Sequence, residues 1–118
     1  IPVIAPIGLK DNKTFNINAD TVAGAIAKKL RSRRLLLMTD IEGVINKNNN
    51  LVSEISPNAA KKMIAEEAIK NGMIPKINTC IDAVNNGVRG VVIIDGRKPH
   101  SILSELFSDK GAGTLIRK

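Results

Sequence analysis

Tryptophan and tyrosine are absent from this 118-residue chain, and Phe15 and Phe107 are its only aromatics. The stacking platforms that single-strand nucleic-acid binders use are therefore missing. A core has to be built from Ile, Leu, Val and Ala. Cys80 is the single cysteine, which excludes an internal disulfide and is consistent with a reducing compartment. With His100 as the single histidine, zinc-finger spacing is excluded too, and no metal site is expected. No apolar run approaches the ~18 residues of a membrane-crossing helix. The opening Ile1-Pro2-Val3-Ile4 lacks a basic n-region and an initiator methionine, so it reads as an excised or processed segment without a secretory signal. Neither G-x-x-x-x-G-K-[ST] nor G-x-G-x-x-G occurs; Gly111-Ala112-Gly113-Thr114 is a weak approach to such a loop.

What remains is an ordinary globular composition, 43% hydrophobic and 25% charged, in a length that suits one domain with one core over residues 1–118. The net charge of +7 invites a nucleic-acid reading, which the composition argues against. Lysine and asparagine are abundant throughout, as in the run Asn46, Asn48, Asn49 and Asn50. The densest basic cluster, Lys28 to Arg34, falls at an expected helix C-terminus, where cations suit the dipole. No nucleic-acid and no membrane partner is expected.

Pro2–Leu9 reads as a buried strand, and Thr14–Ile17 as extended chain after a polar turn. Asn18 or Asp20 can cap a helix whose apolar face is Val22, Ala23, Ile26, Ala27 and Leu30. Within Arg34–Thr39 the run Leu35-Leu36-Leu37-Met38 is continuously apolar, which predicts a central strand covered on both faces. Leu51–Ile55 reads as a short return strand. Ser56-Pro57 opens a helix with Ala60, Met63, Ile64 and Ala68 on its inner side, ended by Lys70-Asn71-Gly72. Pro75 starts the next helix, with Ile77, Cys80, Ile81 and Val84 at i, i+3, i+4 and i+7. Gly90–Asp95 is a second buried strand. Pro99-His100 opens a short helix over Ile102, Leu103 and Leu106, and Thr114–Ile116 is a last strand. Such alternation predicts an α/β fold: a mostly parallel sheet with helices on both faces, a three-layer sandwich.

Lys76 is the informative residue. It lies in the first turn of its helix, where free N–H groups and the aligned dipoles are already positive. A cation there is unfavourable by roughly 0.3–1 kcal/mol, unless it bends into water or an anion such as phosphate docks on the helix end. Asn16, Asn18 and Asp20 alternate with apolar residues at the mouth of a helix. Their amides suit a small substrate with carboxylate and amide groups, and Asp20 could hold a lysine in place; a plain turn with a cap gives the same pattern. Thr39, Asp40, Gly43 and Val44 follow a strand's carboxyl end, the usual ligand position in open α/β sheets, or form a strand-end turn. Cys80, on an apolar stripe, reads as a buried structural thiol, and His100 as a surface residue or a capping contact.

Taken in order, Phe15-Asn16-Ile17-Asn18-Ala19-Asp20-Thr21, Leu37-Met38-Thr39-Asp40-Ile41-Glu42-Gly43-Val44, Gly72-Met73-Ile74-Pro75-Lys76 and Ile94-Asp95-Gly96-Arg97 resemble the C-terminal half of the acetylglutamate kinases, within the amino-acid kinase family. The stretches closest to cyanobacterial and plastid forms imply a plastid stroma or a bacterial cytoplasm. The resemblance implies phosphoryl transfer from ATP, with Mg²⁺, to the side-chain carboxylate of N-acetyl-L-glutamate in arginine biosynthesis. By position, Asn16 and Asn18 would bind the acetylglutamate, Asp20 would organise catalytic lysines, and Lys76 would stabilise charge on the transferred group. Thr39, Asp40, Gly43, Val44 and Ile45, with Gly72 and Met73, would form the nucleotide pocket. The family's Gly-rich phosphate loop, second lysine and substrate-gripping arginine belong to an N-terminal half that does not precede Ile1. The chain by itself is therefore expected to be inactive. His100 to Phe107 resembles the arginine-inhibited branch, which makes arginine an expected inhibitor with His100 as a contact. A homo-oligomer and a PII-type signalling protein are further partners the resemblance implies. Two other readings stand beside it: a kinase for aspartate, glutamate or carbamate, and a non-catalytic nucleotide-binding or interaction module.

Overall fold

The computed structural model describes residues 1–69 and 71–118. It is a mixed α/β fold in which a mostly parallel sheet is flanked by helices. The element order is β1 (Ile7–Lys10), β2 (Lys13–Asn16), α1 (Ala19–Lys29), β3 (Leu35–Thr39), β4 (Glu54–Ile55), α2 (Pro57–Ala65), a 3₁₀ turn (Asn71–Met73), α3 (Ile74–Asn85), β5 (Val91–Asp95), α4 (Ser101–Phe107) and β6 (Gly113–Ile116). The main sheet runs β3-β5-β6-β4. The β3/β5 and β4/β6 pairs are parallel, and β5/β6 is antiparallel.

The core follows from β5. Val91, Val92, Ile93 and Ile94 are fully buried, each contributing about 1.5–3 kcal/mol relative to exposure. Successive side chains point to opposite faces. Val91 and Ile93 join the α3 stripe Ile77, Cys80, Ile81 and Val84 in one cluster. Val92 and Ile94 lie outside that cluster, on the face against which α4 packs. Burial pushes the Cys80 thiol from 9.0 up to about 12, against the lowering pull of Lys76, so it stays an inert thiol. Gly113 is required where β6 crosses β5, because a Cβ there would stand 1.9 Å from the Ile93 carbonyl oxygen.

Several expectations are corrected. Pro2–Leu9 is not a buried strand. Only Ile7–Lys10 is extended, in an antiparallel hairpin with β2 that is separate from the main sheet. Ile1, Val3, Ile4, Ile7 and Leu9 are exposed, since no layer of this chain covers them. Among the described residues β3 lies at the edge of the sheet and not at its centre: its strand partner there is β5, and Met38 is 48% exposed. Leu30 is exposed beyond the end of α1. Helix α2 stops at Ala65, so Ala68 is outside it, and the expected terminator Lys70 lies outside the described residues. Helix α4 reverses its expected face. Ser101 and Glu105 are buried while Ile102, Leu103 and Leu106 are exposed. Glu105 turns inward because its carboxylate accepts from Arg34 Nη1 (3.2 Å) and from the Ala112 N–H (2.8 Å).

Candidate functional site

Two helix N-termini form the site. Asn18 caps α1, its Oδ1 accepting from the Thr21 N–H at 3.2 Å, which places Asp20 in the first turn. A carboxylate there complements the free N–H groups and the dipole. Helix α3 begins one residue earlier than Pro75 alone would suggest. Met73 is the cap without a side-chain bond, Pro75 sits within the first turn, and Lys76 follows it. Lys76 Nζ donates to Asp20 Oδ2 at 2.5 Å across 56 positions of sequence. The pair is partly buried, with side chains 15% and 26% exposed. The cation at the α3 tip therefore has a carboxylate partner from this same chain, and needs no bound anion to be tolerated.

An apolar cavity of about 240 Å³ reaches the start of α3 through its cap residue Met73; Ile41, Gly43, Val44, Ile45, Ala68, Ile69 and the polar edge Asn46 and Asn49 complete its lining. Its wall is tied down from below. Thr114, fully buried in β6, accepts through Oγ1 from the Val44 N–H (2.8 Å) and donates to the Val52 carbonyl (2.6 Å). Gly43 has φ +146°, and a Cβ there would meet Thr114 Oγ1 at 2.6 Å and Leu51 Cδ1 at 2.9 Å. The Asn run closes its own loop: Asn46 Oδ1 accepts from the N–H groups of Asn48 (2.9 Å) and Asn50 (3.0 Å).

Gly43, Val44, Ile45 and Met73 meet at the cavity, whereas Thr39, Asp40 and Gly72 are not among its described lining residues. Thr39 Oγ1 bonds Asp40 Oδ1 at 3.2 Å, at the exposed end of β3. Asn16 ends β2 and is exposed, close in sequence to Asn18 and Asp20. His100 stands apart. It precedes α4 with φ 58°, makes no side-chain capping bond, and borders a different cleft of about 480 Å³ with Met38, Arg97, Lys98 and Ser101. Gly111-Ala112-Gly113-Thr114 is no phosphate loop: Gly113 and Thr114 are in β6, serving strand contact and the Val44 tether. Sequence reasoning missed Thr114, though a lone hydroxyl in an otherwise apolar strand was a signal. It also missed Ala68 and Ile69, which local pattern does not distinguish from ordinary core.

At the end of β5, Asp95 is buried, its carboxylate accepting from the Arg97 backbone N–H, Nε and Nη2, each at 2.9 Å. Those hydrogen bonds lower its pKa from 3.8 to about 2. Among the described residues no group of three or more His, Cys, Asp and Glu could hold a metal ion. No helix of the described residues is long and apolar enough to cross a membrane.

The chain is 59% identical to the acetylglutamate kinase of Pelagibacter ubique, over 100% of its own length and 41% of that protein's. It thus spans about two-fifths of the curated relatives it matches. Among solved structures it superposes on the N-acetylglutamate synthase of Neisseria gonorrhoeae, complexed with coenzyme A and L-arginine. That match has a TM-score of 0.89 and 28% identity, over 98% of this chain and 27% of that one. The carbamate kinase of Giardia lamblia shares the fold, with a TM-score of 0.70 and 19% identity over 95% of this chain and 41% of that one. A model of the amino acid kinase family matches residues 1–95; the chain belongs to the amino acid kinase family.

Proposed function

We propose that residues 1–118 form the nucleotide-binding half of an acetylglutamate kinase, phosphorylating the side-chain carboxylate of N-acetyl-L-glutamate. One observation carries this reading: the Lys76–Asp20 pair at two adjoining helix N-termini, on the helix whose cap residue Met73 lines the cavity with Gly43. Phosphoryl transfer asks for positioning and cations rather than a covalent protein group. Lysine brings a point charge on a flexible stem, and helix tips bring N–H donors.

The residues fit a nucleotide. The cavity has apolar walls for a base, and Gly43 on its rim packs so tightly on Thr114 and Leu51 that a Cβ there would displace the wall. Val44, Ile45 and Met73 would hold the adenine of ATP, with Thr39, Asp40 and Gly72 towards the ribose. When bound, ATP supplies the phosphoryl group. Mg²⁺ would enter on the nucleotide's phosphates, its usual mode where no dedicated protein cage exists. Lys76 offers its ammonium to the transferred group. Asp20 fixes the Lys76 ammonium. Asn16 and Asn18 bind the carboxylate and amide of acetylglutamate. The acetylglutamate kinase and the synthase named above are from bacteria, and a bacterial cytoplasm suits the reading.

The test is ATP turnover by the complete protein carrying this sequence. Turnover with N-acetyl-L-glutamate and not with aspartate, glutamate or carbamate is expected; turnover driven by one of the others moves the protein elsewhere in the family. A second reading, a ligand-binding domain without kinase chemistry, is favoured by the match to a protein named a synthase rather than a kinase. Arginine inhibition, with His100 as a contact, belongs with either reading; the synthase named above was crystallised with L-arginine. Calorimetry with arginine, on the complete protein and on His100→Ala, checks it. Binding that ignores the substitution removes His100 from the site.

A further inference from the structure

Helices α1 and α3 touch at three levels in the same chain direction. Asp20 meets Lys76, Gly24 meets Thr79, and Lys28 forms an ion pair with Asp82. The α1 partners are spaced i, i+4, i+8 and the α3 partners i, i+3, i+6, so one face of each helix is engaged over two turns. The middle level sets the separation. A Cβ on Gly24 would stand 2.8 Å from Thr79 Cγ2, and among the described residues no other atom lies within 4 Å of it once the glycine's chain neighbours and its own helix backbone are set aside.

Thr79 cannot easily yield. It is β-branched and stiff at χ1, and its Oγ1 donates to the Pro75 carbonyl at 3.1 Å. Rotating the methyl away from α1 breaks that bond. The bond also ties Thr79 to the first turn of α3, where Lys76 is carried.

We infer that Gly24 and Thr79 are positioning residues. Their contact fixes how closely α1 approaches α3, and so whether Asp20 can hold the Lys76 ammonium in register for transfer. This deepens the role proposed above for Lys76 and rests on it for its catalytic consequence. The geometric consequence stands alone. Alanine at position 24 drives α1 outward at the level next to the pair, and removing the Thr79 methyl makes room for it again.

The experiment uses the complete protein with Gly24→Ala, and with Gly24→Ala combined with Thr79→Ser. Serine keeps the hydroxyl on Pro75 and deletes only the methyl. For Gly24→Ala we expect kcat to fall roughly 10- to 100-fold, as for a ~1 Å displacement of a reacting group, with KM for ATP unchanged. The double variant recovers most of that loss. A second readout needs no substrate: the rate at which limiting acetic anhydride acylates Lys76, followed by peptide mass spectrometry. It rises in Gly24→Ala and returns in the double variant. Alanine is the better helix former, so any lowered melting temperature comes from the contact and is reset by Thr79→Ser as well. Unchanged acylation of Lys76 in Gly24→Ala overturns the inference, as does a loss that Thr79→Ser fails to recover. If the complete protein phosphorylates no acetylglutamate, the functional reading fails, while the acylation rates still decide the positioning.

Discussion

Replacing Lys76 by alanine probes both the fold and the chemistry, and the structure predicts different magnitudes for each. The substitution strands the Asp20 carboxylate, which is 26% exposed in the intact pair. Breaking a fully buried ion pair costs about 3–5 kcal/mol, and an exposed pair is worth about 0–1 kcal/mol. A pair 15% and 26% exposed lies between, so a loss of about 1–3 kcal/mol is expected. An opposing term exists: removing a cation from the positive end of α3 relieves about 0.3–1 kcal/mol. It is the smaller one, and the sign stays destabilising. In the double variant Asp20→Asn/Lys76→Ala the stranded charge is gone. A double-mutant cycle in urea should therefore return a coupling of about 1–3 kcal/mol. On turnover, losing one preorganised electrostatic group costs about 10²–10³ in kcat, with ATP affinity by calorimetry largely kept. A Lys76→Ala protein whose urea midpoint and kcat both match the parent refutes the reasoning. So does a kcat loss fully explained by lost ATP binding.

Thr114→Val leaves the buried Val44 N–H without its acceptor and the Val52 carbonyl without its donor. A lowered urea midpoint worth about 1–3 kcal/mol is expected, together with weaker ATP binding as the Gly43–Ile45 wall loosens; an unchanged midpoint contradicts the tether. Asp95, held at about 2 against 3.8 by the Arg97 hydrogen bonds, binds fewer protons folded than unfolded between those values. Its contribution is present above about pH 4 and is lost as the pH falls through 2. The stability gap between the parent and Asp95→Asn should shrink over that window in acid titrations; a gap independent of pH rules the pairing out. Cys80, with its thiol pushed up to about 12 and no solvent exposure, should resist iodoacetamide at pH 8 until the protein unfolds. Labelling faster than global unfolding, read by mass spectrometry, contradicts its placement.

The local signals that proved legible are those with a local cause. Asn18 and Ser56 cap α1 and α2 because their side-chain oxygens reach N–H groups three residues on, at 3.2 Å in both. The α3 stripe and the β5 run follow from a period of 3.6 and from four β-branched residues in a row. Amphipathic patterning misled at α4, where Glu105 is drawn inward by Arg34 and the Ala112 N–H. Those partners are distant or follow the helix, so no window over Ser101–Phe107 contains them.

By itself, the order of residues determined that helices and strands alternate, that one helix opens at the Pro75 turn with a lysine on its tip, and which motif stretches mark the kinase family. Tertiary structure alone decided that β3 lies at the sheet edge, since a continuous apolar run looks the same at an edge as at a centre. It decided that Thr114 holds the cavity wall, and that Asp20 meets Lys76 across 56 positions. Strand order and side-chain pairing at such separations come from how layers close on one another, and that closure leaves no trace in any short stretch of chain.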